Sequence, residues 1–326
     1  MRRSLVTLVV AGTTLVAGCG VAGSTDTSAG AAATSAEVTA VRLGVIPLVD
    51  VAPVYLAQQQ GIFTEHGLEV EAFLAQGGAA IVPAVVNGEA QFGFSNVTSL
   101  LQAEARGVPL GLVAPGAGPT GDVQADYAYI EVLDGGPVQT AADLAGRRVA
   151  INSINNISDT VVRESVRLAG GDPATIDFVE IPFPDMAAAV STGQVDAAFL
   201  VEPFTSVGLA QGLRAVSAPY SEVHPDLTVA GYFTSDQYAA ENPDVVRRFA
   251  DAMRAAHAYA QANPDAVREV LGEYTSIPPA VAAQLTLPDF QPAINRDSVA
   301  RLLELGEQDG IIEGDVRVED VLASED

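Results

Sequence analysis

Residues 41–74 read VRLGVIPLVDVAPVYLAQQQGIFTEHGLEVEAFL, and the changes of pattern inside that stretch set the fold class. Val41–Ile46 is a mostly apolar strand candidate. Ala52–Gln60 is a short helix closed by Gly61, and Leu68–Leu74 alternates apolar and polar residues. Strand, helix of about ten residues, strand is one βαβ unit, whose crossover implies a parallel sheet. The rhythm continues with a helix at Ala79–Val86, a strand at Gln91–Ser95, a helix at Val97–Arg106 and a strand at Leu110–Ala114.

Beyond this point the pattern breaks. Pro115–Gln124 is rich in Gly and Pro, and Asp126–Leu133 reads as a longer strand. A second series begins at Arg148–Ile151. It runs through a helix at Asp159–Ala169, a strand at Phe178–Ile181, a helix at Asp185–Thr192 and a strand at Ala197–Val201. A helix at Phe204–Gly212 and a strand at Leu213–Val216 complete it. Ala198–Val201 is apolar at consecutive positions, as a strand covered on both faces should be. The remainder is mainly helical. Asn242 is the expected N-cap and Pro243 the first helical residue of a segment in which Val246, Phe249, Met253, His257 and Ala260 share one face. That placement makes His257 a packing residue.

Composition narrows the function. The 326 residues carry 41 acidic and 16 basic side chains, every basic one an arginine, for a net charge of -25. Such a chain repels nucleic acid and anionic headgroups. The one cysteine, Cys19, rules out an intramolecular disulfide and a cysteine-based zinc site. His66, His224 and His257 have no ligand spacing, so neither a metal nor a cofactor is expected. No Gly-x-Ser-x-Gly elbow precedes a helix and no GxGxxG follows the first strand, so the reading at this level is a protein that is not an enzyme.

The first 19 residues have the form of a signal peptide. Arg2 and Arg3 precede an apolar run, Leu5–Val16, too short to span a bilayer. Val16-Ala17-Gly18-Cys19 is similar to the bacterial lipobox, which makes Cys19 the expected site of lipidation. Residues 20–40, GVAGSTDTSAGAAATSAEVTA, are small and polar without periodicity, a flexible tether reaching roughly 25 Å. The expected location is outside the cytoplasmic membrane, held by a lipid anchor.

In open parallel sheets ligands bind beyond the carboxyl ends of strands, where helix N-termini present free N–H groups. That rule selects Asp50, then Gln76, Gly77 and Gly78, then Ser95 and Asn96, then Asn155 and Asn156, and finally Glu202. Each has a plainer alternative. Asp50 and Asn96 are helix-capping residue types, Gly77 and Gly78 suit a tight turn, and Glu202 before Pro203 is placed to fix a turn. Tyr55, Phe183, Phe204 and Tyr232 are ring-stacking candidates that equally suit the core. None of these loops contains arginine, and the protein has no lysine. An anion would lack the guanidinium fork it usually meets, so a neutral or amine-bearing molecule such as an N-heterocycle fits better.

Two stretches, VRLGVIPLVDVAPVYLAQQQGIFTEHGLEVE and QFGFSNVTSLLQAEARGVPL, with DLAGRRVAIN and STGQVDAAFLVEPF later, resemble the substrate-binding lipoproteins of ABC importers. The resemblance is to the nitrate/sulfonate/taurine type, the SsuA/THI5-like (NMT1) group, and covers roughly residues 41–310. It implies an α/β, two-lobed, type II periplasmic-binding-protein-like fold with two chain crossings. Lobe 1 would hold 41–127 and 230–326, and lobe 2 would hold 128–229. It also implies a small-molecule ligand caught between the lobes by a monomer, which passes it to an ABC permease and its ATPase subunit. THI5-like synthases use an active-site histidine and a Cys-rich segment. Here Cys19 lies in the leader and no histidine falls in the cleft loops, which argues against synthase activity.

Overall fold

The computed structural model describes residues 38–322. The expected signal peptide, Cys19 and most of the tether lie outside the described residues. The tether's last three residues do not, and β1 starts at Thr39, where Thr39 and Ala40 pair with Leu68 and Glu69, so ordered structure begins earlier than composition indicates.

Along the chain, β1 (Thr39–Val45), β2 (Leu68–Leu74), β3 (Phe92–Asn96) and β4 (Leu110–Pro115) come first, then the short β5 (Ala117–Gly118). The second series gives β6 (Ala128–Leu133), β7 (Arg148–Ile151), β8 (Asp177–Glu180), β9 (Ala197–Val201) and β10 (Leu213–Ser217). β11 (Ala230–Ser235) and the short β12 (Asp289–Phe290), which pairs with β5, follow. One sheet has the order β2-β1-β3-β11-β4 and the other β10-β6-β9-β7-β8. The chain therefore passes from the first sheet to the second before β6 and returns before β11.

The sheets are mixed, not purely parallel as the βα rhythm predicts. β6 runs antiparallel to β9 and β10, and β11 runs antiparallel to β3 and β4. The physical reason lies in the crossings. Ala128 pairs with Val201 and Ala230 with Asn96, so each crossing strand enters its sheet at the end where the βα strands finish. A strand arriving there must run the other way. β9 is central and wholly buried, as its unbroken apolar run requires.

The long helix Pro243–Ala262 closes one face of the first sheet. Phe249 stacks on Phe92 at 3.8 Å, and Tyr232 meets Phe249 edge-on at 5.9 Å. Burying aromatic rings of this size contributes roughly 2–3 kcal/mol each. Pro243 opens this helix and Asn242 holds the N-cap position as expected, but the asparagine side chain makes no capping hydrogen bond. Its amide Nδ2 donates back to Tyr238 O at 3.3 Å, because another helix, Asp236–Glu241, ends immediately before it. His257 is buried on the inner face, with Nδ1 3.0 Å from Gln291 O. The helix Arg296–Gln308 lies against Ile157–Leu168, tied by Arg301 to Glu164 at 2.7 Å and Arg167 to Asp309 at 2.6 Å. Among the described residues, no helix is long and apolar enough to cross a membrane.

Candidate functional site

The loops at the strand tips of the two sheets meet. Val49 N donates to Glu202 O at 3.0 Å, and Thr286 N donates to Glu202 Oε1 at 3.3 Å. Gln102, from the helix after β3, donates to Asn155 O at 3.4 Å. A Cβ built at Gly77 would lie 3.4 Å from Asn152 Nδ2, so the turn after β2 touches the loop after β7. The nine residues chosen from the sequence thus belong to loops that face one another.

Their local roles differ. Asn96 Oδ1 accepts from Ser99 N at 2.9 Å and caps the helix Val97–Ala105; Asn156 Oδ1 does the same for Ser158 N at 2.9 Å. Ser95 is fully buried beneath Gly78, where a Cβ would come within 1.8 Å of Ser95 Oγ. Only glycine lets the helix Gly78–Val86 start that close to β3. Gln76 is exposed on the rim, as is Asn155, which holds a left-handed backbone with φ 56°.

Glu202 is buried, and its carboxyl is fully engaged: Oε2 accepts from Ser206 N at 3.0 Å, and Oε1 from Ser206 Oγ at 2.7 Å and Thr286 N. Burial outweighs these hydrogen bonds and pushes it up to about 7.

Asp50 is different. It is buried and caps no helix. Oδ1 accepts from Tyr127 Oη at 3.4 Å, and Oδ2 has no protein partner. Burial is the largest influence and raises it to about 7, against the lowering effects of its own backbone and Tyr127. Tyr274 anchors the same loop by donating to Leu48 O at 3.0 Å, and its ring stacks on half-buried Tyr55 at 4.1 Å. Tyr232 Oη is also buried without a partner, and burial, followed by the neighbouring Asp50 charge, pushes the phenol well above its ordinary value. Phe183 and Phe204 stack on each other at 5.8 Å at the starts of two helices of the second sheet.

Sequence reasoning missed Glu131. It is fully buried in β6 with both carboxyl oxygens unpartnered, and burial followed by the neighbouring Glu202 charge lifts it to about 9. Gly208 makes room for it, since a Cβ there would sit 2.1 Å from Glu131 Oε2. A lone acid inside the apolar run AYIEVL was the available signal. Asp126, also buried, accepts from Ser221 Oγ at 2.7 Å and Tyr127 N at 2.8 Å.

Among the described residues no group of three His, Cys, Asp or Glu side chains could hold a metal ion. A groove of about 1000 Å³ lies elsewhere, along the outer edge of β4, and none of the nine loop residues lines it. Where the strand-tip loops meet, they already touch.

Two mixed sheets with two crossings and facing strand tips define the two-lobed periplasmic-binding-protein fold. Residues 49–267 match the NMT1/THI5-like family model, and the chain belongs to that family. The alkanesulfonate-binding protein SsuA from Xanthomonas axonopodis, solved bound to MOPS, superposes with a TM-score of 0.73. It shares 21% identity, over 88% of this chain and 99% of that one. The desulfurization enzyme DSZB superposes with a TM-score of 0.64 at 18% identity, over 88% of this chain and 97% of that one. A curated relative from Aspergillus parasiticus, named as a 4-amino-5-hydroxymethyl-2-methylpyrimidine phosphate synthase, is 23% identical over 286 residues. The match covers 81% of this chain and 80% of the relative.

These relatives correct one expectation. The sequence reading excluded enzymes from the absence of nucleophile, dinucleotide and Cys-rich motifs, yet relatives along most of the chain carry an enzyme's name. The same cleft architecture serves binding proteins and enzymes alike, so missing motifs of other folds do not exclude catalysis.

Proposed function

We propose that this protein is the extracytoplasmic solute-binding subunit of an ABC importer, capturing a small organic molecule between its lobes and delivering it to a permease served by an ATPase. One observation carries the reading: loops from the tips of two separate sheets converge across a double crossing, around a buried carboxyl whose Oδ2 has no protein partner. Hinge closure on a guest is what such an arrangement does mechanically. In this reading lobe 1 comprises 41–127 and 230–326 and lobe 2 comprises 128–229. Asp50, Gln76, Gly77, Gly78, Ser95, Asn96, Asn155, Asn156 and Glu202 line the cleft, and the protein acts as a monomer tethered through lipidated Cys19. The lack of arginine in these loops supports a neutral or amine-bearing ligand, such as an N-heterocycle, over a sulfonate.

A thermal-shift screen of purified protein against pyrimidines, polyamines, sulfonates and aromatic acids tests the binding role. A solute at about 100-fold over its Kd adds about 2.7 kcal/mol of stability. Deleting the gene should abolish uptake of the solute that scores; unchanged uptake makes the protein a ligand sensor uncoupled from transport. The name of the Aspergillus parasiticus relative supports a catalytic reading of the same cleft. Product formation from the scoring solute would establish it. Cys19→Ser should release the protein from membranes; retention there removes the anchor.

A further inference from the structure

Asp50, Asp126 and Glu202 at the junction between the sheets, and Glu131 within β6 close by, are buried, and among the described residues none is ion-paired. Elsewhere this chain treats buried acids differently. Asp159 and Glu164 are just as buried, and each has an arginine: Arg163 for Asp159, and Arg167 with Arg301 for Glu164. The chain can supply cations to buried acids, and here it supplies none. Removing a carboxylate from water without a counter-charge is strongly unfavourable, so a buried acid lacking one stays protonated or takes its positive charge from outside.

The geometry selects where an outside charge would go. Glu202 is committed to Ser206 and Thr286, and Asp126 to Ser221, Thr120 and Tyr127. Glu131 lies under Gly208, beneath the helix Phe204–Ala210. Asp50 sits in the loop that touches Glu202, with Oδ2 free, and Tyr232 Oη nearby is a second buried polar atom without a partner. Tyr274, which lies close to Asp50, stacks on half-buried Tyr55, and aromatic rings attract cations. We propose that the captured solute is a cation, and that the free Oδ2 of Asp50 takes its charged N–H group. This rests on the solute-binding reading above and narrows its ligand to one charge class.

The groups facing Asp50 are the phenols of Tyr127, Tyr220, Tyr232 and Tyr274, with Glu202 beyond; none is basic. Burial holds empty Asp50 near neutrality, so a cation arriving below about pH 7 displaces a proton, and binding strengthens as pH rises towards that value.

Calorimetry on the full-length protein with three planar probes of one shape tests this: benzamidinium, benzamide and benzenesulfonate. Benzamidinium should bind, benzamide about 30-fold more weakly, and Asp50→Asn should erase the difference. Equal or tighter binding of benzamide or benzenesulfonate, full benzamidinium affinity in Asp50→Asn, or no binding of any probe overturns the proposal. Should Asp50→Asn fail to fold, the solute carried by native protein decides independently. Protein purified from its own cells is denatured and the released solute identified by mass spectrometry. A cation supports the proposal. A neutral or anionic solute overturns it and leaves the binding reading standing, whereas no solute, with uptake intact in the deletion strain, removes both.

Discussion

Tyr127 and Asp50, 77 positions apart, are joined by a hydrogen bond from the phenol Oη to carboxyl Oδ1 at 3.4 Å. It links the end of the first crossing to the loop after β1. Asp50 is consequently a residue of the inter-sheet junction as well as of its own loop. Tyr127→Phe keeps the ring's packing against Tyr220 and removes the donor, leaving both oxygens of a buried carboxyl without a partner. The expected cost is about 1–2 kcal/mol in urea unfolding, with Asp50 pushed further upward. Unchanged stability would mean the bond is not formed in solution.

Stability should fall as pH rises from mild acid towards alkaline pH. Asp50 and Glu202 are held at about 7 and Glu131 at about 9 by burial, above their ordinary values of 3.8 and 4.5. The folded state thus binds more protons than the unfolded one, so stability is fullest below those ordinary values and is lost as pH rises through about 7 and then 9. His257 acts oppositely. Burial lowers it from 6.5 to about 4, so stability is lost as pH falls from 6.5 towards 4. Between about pH 4.5 and 6.5 three carboxyls oppose one histidine, so melting temperature followed from pH 4 to 9 should decline throughout. Asp50→Asn should flatten the decline below about pH 7, and His257→Gln should steepen it below pH 6.5.

Gly78→Ala tests the close approach of a helix start to a strand end. The added methyl would fall within 1.8 Å of Ser95 Oγ and 2.6 Å of Ser95 Cβ. Overpacking of this kind costs about 1–3 kcal/mol. Adding Ser95→Gly should recover part of the loss in thermal melts. A variant as stable as the parent would show that the turn gives way freely.

Asn96→Ala separates capping from ligand contact. Losing the bond to Ser99 N should cost about 1 kcal/mol in the unliganded protein. If capping is the residue's whole role, the Kd for a bound solute stays within about threefold of the parent. A larger change in calorimetry would place the side chain's Nδ2 against the solute.

Periodicity made the strands and most helices of both series legible, because alternation and spacing are properties of adjacent residues. Strand direction was not. β6 and β11 run antiparallel because each enters its sheet from the junction, and nothing within AYIEVL or AGYFTS encodes that. Asn242 reached the N-cap position without a capping bond for a similar reason: its side chain turns back to donate to the preceding helix. The strand-tip rule found the loops that meet, including Asp50 and Glu202. It could not separate a carboxyl with every oxygen engaged from one with an oxygen free, and it passed over Glu131, which lies mid-strand.

The linear order of residues determined two βα series, an acidic chain poor in cations, and glycine and asparagine at the turns that begin helices. The tertiary structure alone decided which turns face each other, that Glu202 reaches Ser206 and Thr286, and that Asp50 meets Tyr127 while keeping one oxygen unpaired. Backbone preference acts over a few residues and can be read locally. Desolvation and hydrogen-bond partnership depend on what distant segments bring alongside, and only the folded chain sets them.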